Sequence, residues 1–136
     1  MTAGGIPSAD GTAPPGSGLA LCLGSAAGAT GVALGAFGAH ALRQRLDPGM
    51  LEIYRTGVLY QVLHALALLA VAALGTRLGR PRLTALLFTA GIVIFSGSLY
   101  ILAISGVRIW GAVTPFGGVS LIAGWLSMVL FRKKAS

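Results

Sequence analysis

Four stretches of this chain run for about 19–23 residues without a single Lys, Arg, Asp or Glu: Leu19 to Ala39, Gly57 to Gly75, Leu83 to Ser105 and Ile109 to Phe131. At about 1.5 Å per helical residue, each can cross a hydrocarbon core of about 30 Å. Lipid offers no hydrogen bonds, so a spanning run must satisfy its backbone internally, and a helix does so. Charge content agrees with this reading. Only 13 of 136 residues are charged, too few to cover a water-facing surface of this size. The expected fold is an all-α membrane protein, a four-transmembrane-helix antiparallel bundle. Its spans are placed at about 19–40, 57–75, 83–105 and 109–131, within a domain of residues 19–134. The single Cys22 excludes a disulfide framework within one chain and a cysteine-only metal site.

Residues 1–18 are rich in Gly, Pro, Ser and Ala, lack periodicity and read as a disordered tail. Ala39-His40-Ala41 has the small-x-small form of a signal cleavage site. No Lys or Arg precedes the first run, however, and the run exceeds a normal signal core, so it reads as a span. Asp47-Pro48 offers an N-cap followed by proline at the first helical position, so the second helix is expected to start outside the apolar zone, near Pro48. A loop of roughly 17 residues is expected between the first two apolar runs. Thr114-Pro115 inside the fourth run predicts a kink or break.

The charges mark the ends of the spans. Arg77, Arg80, Arg82, Arg132, Lys133 and Lys134 fall on one side, and Arg43, Arg45, Arg55 and Arg108 on the other. The excess of six over four puts both termini in the cytoplasm. The net charge of +7 is thus a topology and anionic-lipid signal. No basic domain is available to track nucleic-acid phosphates, and nucleic acid is not expected as a partner.

Glycines in the first run fall at Gly24, Gly28, Gly31, Gly35 and Gly38, with gaps of four, three, four and three. That spacing puts all five on one helix face. In lipid, where burying apolar surface gains little, small residues promote association by letting backbones approach. The face is expected to pack on another helix of the same chain, with a second protomer as the alternative. Gly91, Ser98 and Ser105, and Gly117 and Gly124, repeat weaker versions at seven-residue intervals.

Polar residues inside a span are costly and usually face the bundle interior. Tyr54, Gly57, Gln61, His64 and Leu68 share one face of the second helix, and Tyr60 lies one turn before His64. Tyr60, Gln61 and His64 are therefore read as one polar patch. Two readings stand: a proton-handling or ligand-binding histidine, or a neutral histidine bonded to another helix at Ser96, Ser98 or Tyr100. His40, Arg43, Glu52, Arg55 and Arg108 fall at one membrane face, as an interfacial anion site or as ordinary anchoring. No catalytic triad, metal-ligand set or cofactor motif is apparent.

Gly35-Ala36-Phe37-Gly38-Ala39-His40-Ala41-Leu42 resembles the GAFGAHGL motif of the YgdD-like small membrane proteins. This is the domain-of-unknown-function family 423, or UPF0382, which includes transmembrane protein 256. His64-Ala65-Leu66-Ala67-Leu68-Leu69, Phe95-Ser96-Gly97-Ser98-Leu99-Tyr100 and Gly111 to Gly118, followed by Gly124-Trp125, resemble three further motifs of that family, in order. Departures are Ala41 for glycine, Trp110 for leucine, and Gln61 where many members carry histidine. The resemblance implies a multi-pass protein of the bacterial inner membrane with no established reaction. His40, His64, Ser96, Ser98, Tyr100, Thr114 and Pro115 are carried over as candidate residues. The function expected is that of a structural, accessory or lipid-interacting membrane protein, with membrane lipid and a homo-oligomer or membrane-protein partner. The alternative is an oligomeric small transporter or channel component built on the patch around His64. An enzyme acting on lipid or quinone has no supporting motif.

Overall fold

The computed structural model describes residues 14–133, and the N-terminal segment read above as disordered lies largely outside them. Four helices long and apolar enough to span a membrane make up the fold. They are α1 (Ser17–Phe37), α2 (Pro48–Ala73), α3 (Pro81–Ser105) and α4 (Ile109–Leu130). α1 begins at Ser17, two residues before the apolar run, behind Gly16, whose positive φ turns the chain into the helix.

The connection between the first two spans is much shorter than the 17-residue loop expected. α1 passes directly into a π-helical turn, Gly38–Leu42, and α2 starts at Pro48 with the Asp47 carboxylate accepting from the Met50 N–H at 3.0 Å. The cap and the proline start the helix well outside the apolar zone, so only residues 43–47 remain as linker. α3 and α4 are joined by an equally tight turn. Gly106 takes the left-handed conformation there, and the Ser105 hydroxyl accepts from the Val107 N–H.

α2 and α3 form the inner pair. α1 lies along α2 and touches α3, while α4 lies along α3. Both outer seams are made by glycine. Gly24, Gly28, Gly31 and Gly35 of α1, and Gly38 at the start of the π-helical turn, all face α2. A Cβ at Gly31 would come 2.8 Å from Val62 Cγ2, and one at Gly38 would come 2.5 Å from the Tyr54 ring. Gly24, Gly28 and Gly35 meet Leu68, Ala65 and Val58 in the same register. The partner of the glycine face is therefore this chain's own second helix. The α3–α4 seam is closer still. Gly117 rests on the Phe95 backbone, Gly91 receives Leu121, and Gly124 receives the Phe88 ring.

Pro115 does not break α4, which is continuous from Ile109 to Leu130. The ring sits on the exposed face in the second turn. Only the Gly111 carbonyl loses a helical donor there, and the Thr114 hydroxyl reinforces the same turn through the Trp110 carbonyl.

The interior divides into two apolar clusters. One gathers Leu68, Val71, Ala85, Phe88 and Leu121, and the other gathers Leu42, Leu51, Tyr54 and Ala103. The outer faces carry exposed Val32, Val93, Phe116, Ile122 and Val129, as lipid-facing helices should. Gly117→Ala must push α4 off the Phe95 backbone and should cost about 1–3 kcal/mol. Gly97→Ala, with open space at its Cβ, should be neutral. Unfolding of both variants in mixed micelles, followed by circular dichroism, checks the contrast.

Candidate functional site

Between the two apolar clusters lies a polar layer, and Gln61 is its hub. Gln61 sits at the middle of α2 and is 5% exposed. Its amide nitrogen donates to the Ala27 carbonyl at 3.0 Å and to the Thr30 hydroxyl oxygen at 2.9 Å, both on α1. Its amide oxygen accepts from the Tyr100 hydroxyl of α3 at 2.8 Å. One side chain thus ties three helices. Tyr100 fits because Gly57 leaves room for its ring. The Gly57 carbonyl accepts in turn from Ser96 at 2.7 Å. Tyr54 packs on Tyr100 with ring centroids 5.0 Å apart and donates to the Leu34 carbonyl, just ahead of the π-helical turn.

His64 faces another direction. Its Nε2 lies 3.2 Å from the Trp125 indole nitrogen on α4, and its Nδ1 lies 2.7 Å from the Tyr60 carbonyl. An indole N–H only donates and a carbonyl only accepts. The ring is therefore the neutral tautomer with its proton on Nδ1. Its partner is Trp125 rather than Ser96, Ser98 or Tyr100. Phe88 closes the ring in from α3 at 5.7 Å between centroids.

The patch read from the sequence as Tyr60, Gln61 and His64 divides in two: Tyr60 and His64 stay together, their rings stacked with centroids 5.9 Å apart, while Gln61 turns to other helices. Gln61 serves α1 and α3, and His64 serves α4. Tyr60 is 38% exposed and lies against Phe95. Ser98 bonds Thr114 across the α3–α4 seam at 2.8 Å, and below it Thr84 bonds Ser127 at 2.7 Å. Among the described residues, no buried side-chain nitrogen or oxygen lacks a hydrogen-bond partner. The layer is a closed hydrogen-bond system.

His40, Glu52, Arg55 and Arg108 do lie at one end of the bundle, and all are exposed. Glu52 and Arg55 share an open groove with Pro48, Leu51, Thr56 and Leu59, which His40 and Arg108 do not line. His40 sits in the π-helical turn, facing outward. No group of three or more His, Cys, Asp or Glu gathers among the described residues to hold a metal.

Two contributors were missed from the sequence. Thr30 stands beside Gly31 and supplies the α1 side of the Gln61 network. Trp125 lies near the end of its span, where indole rings usually read as interfacial anchors, yet its N–H points inward to His64. A lateral cavity of about 430 Å³ between α1 and α3 has Thr30, Gln61 and Tyr100 among its lining residues.

Gln61→Leu removes all three of its interhelical bonds and leaves the Tyr100 hydroxyl without its acceptor. At about 0.6 kcal/mol per bond in a membrane, the variant should lose roughly 2 kcal/mol in an unfolding assay. In protein carrying ¹⁵N-labelled histidine, nuclear magnetic resonance should find His64 protonated at Nδ1. A proton on Nε2 would contradict the Trp125 bond.

The comparisons with known proteins fit this architecture. A sequence model of the family described as "Protein of unknown function (DUF423)" matches residues 34–118. The UPF0382 membrane protein YwdK of Bacillus subtilis is 43% identical over 117 residues, covering 84% of this chain and 95% of that protein. The UPF0382 inner membrane protein YgdD of Escherichia coli is 46% identical over 101 residues, covering 73% of this chain and 77% of that protein. The UPF0382 membrane protein SSP2132 of Staphylococcus saprophyticus is 43% identical over 111 residues, 81% of this chain and 92% of its own. No solved structure matches significantly. The matched region runs from the end of the glycine face through the polar layer to the α3–α4 seam, and the chain belongs to the DUF423 (UPF0382) family of integral membrane proteins.

Proposed function

We propose that this protein is a structural or accessory, lipid-interacting component of the bacterial inner membrane, acting through its packed surface rather than through chemistry in its interior. The observation that carries this reading is the closure of the polar layer. Gln61 uses both amide hydrogens and its carbonyl, and His64 uses both ring nitrogens. A proton relay or ligand site needs groups free to exchange partners, and these are already paired, all but the His64 Nδ1 bond joining separate helices. Inner-membrane residence is supported by the printed name of the Escherichia coli relative. A cytoplasmic position for both termini is supported by the greater number of cations at the end where α1 starts and α4 finishes. The partner is a membrane protein or a second copy, taken up by the outer apolar faces.

The competing reading, a small transporter or channel component, has one observation in its favour. The cavity between α1 and α3 reaches the Gln61–Tyr100 bond. Four helices enclose little space, so such a pathway would require several copies.

In a strain lacking its own copy, His64→Gln keeps an acceptor for Trp125 but cannot titrate. It should complement like the wild type, whereas Gly31→Leu, which cannot seat against Val62, should fail and lose the wild type's cross-linked neighbours. Loss of complementation by His64→Gln in a folded protein, with Gly31→Leu tolerated, would reverse the assignment.

A further inference from the structure

The two ends of the bundle differ in charge and in construction. Arg77, Arg80, Arg82, Arg132 and Lys133 are all exposed at the end formed by the α1 start, the α2–α3 connection and the α4 finish. The carboxylates among the described residues, Asp47 and Glu52, both lie at the opposite end. These cations do not hang on a loose tail. The Gly79 N–H donates to the Phe131 carbonyl at 2.6 Å, and the Lys133 N–H donates to the Arg77 carbonyl at 2.9 Å. Leu78 and Arg132 pair between these bonds as a short antiparallel bridge, with Leu78 buried beneath. Gly79 is needed for the clip, because a Cβ there would come 2.7 Å from the Phe131 oxygen. The Arg80 guanidinium lies over the Phe131 ring at 4.8 Å. On the far side, the Gly16 turn presses on the Arg82 backbone.

Clipping the connection to the segment after α4 gathers the backbones that carry these cations at one end of the bundle, and a local excess of positive charge attracts an anion. At a membrane interface the anion available at that depth is a lipid phosphate. We infer that this clipped basic end is a binding platform for anionic phospholipid head groups, gathering lipids of net negative charge around the protein in preference to zwitterionic ones. The inference deepens the lipid-interacting part of the proposed function and does not depend on the identity of any protein partner.

The test uses the full-length protein in detergent, titrated with equal amounts of phosphatidylglycerol and phosphatidylcholine and read by native mass spectrometry. The wild type should bind phosphatidylglycerol preferentially, and the preference should fall as salt rises. Each interfacial cation contributes roughly fivefold. Arg80→Gln/Arg132→Gln/Lys133→Gln should therefore lose on the order of 100-fold, while Arg43→Gln/Arg45→Gln at the other end should retain the preference. Gly79→Val changes no charge but opens the clip, and should weaken the preference several-fold. Circular dichroism reports whether each variant is folded, and the wild-type salt series needs no variant. Equal binding of both lipids by the wild type overturns the inference, as does a triple variant that keeps its selectivity. An unaffected Gly79→Val refutes the positioned platform. Displacement of the lipid by equimolar inorganic phosphate would reject the lipid as the ligand. A wild type without lipid preference that still passes the His64 and Gly31 comparison removes this inference alone.

Discussion

Helices in lipid gain little from burying apolar surface against one another, because the solvent they leave is as apolar as the partner they meet. Everything in this bundle follows from that constraint. Two means of association remain, close backbone contact and interhelical hydrogen bonds, and the chain uses both along the same seams. Five glycines, Gly24 to Gly38, bring α1 and its π-helical turn onto α2, and Gly117 brings α4 onto the Phe95 backbone. That proximity lets short side chains such as Ser98 and Thr114 reach each other across the α3–α4 seam. Without it, their hydroxyls could bond only within their own helices.

The polar layer adds specificity to this packing. An apolar glycine face can slide by a turn and still fit. Gln61 cannot, because its three partners on α1 and α3 occupy single positions. A polar group at one core position fixes register in the same way in coiled coils, at some expense in stability. Trp125 performs the corresponding task for α4 through His64. The α1–α2 and α3–α4 pairs are thereby joined through the layer as well as through the apolar clusters on either side of it.

Much of this was legible in the chain. The uncharged runs located the spans, and the gaps of the glycines identified a packing face. Tyr54, Gly57, Gln61, His64 and Leu68 were readable as one stripe, and all five are buried. What misled was local reasoning about long-range partners. Tyr60 and His64, one turn apart on α2, do lie together, but Gln61, beside Tyr60 in the chain, faces different neighbours. Pro115 suggested a break, but a proline on the outer face in an early turn costs a single carbonyl its donor. Thr30 carried no signal of its own, and Trp125 stood out only within a family-like motif, because a threonine in a helix and a tryptophan near a span end each have an ordinary local explanation.

The sequence by itself determined that this is a four-span membrane protein, which end of it is the more basic, and that its first helix packs through glycine. Those properties follow from hydropathy, charge and period, all readable one segment at a time. Only the tertiary structure decided which helix receives the glycine face, that Gln61 and His64 serve different neighbours, and that the basic connection and the chain end are clipped together. Each of these depends on which atoms of distant segments come within bonding distance, and no periodicity within one segment encodes that.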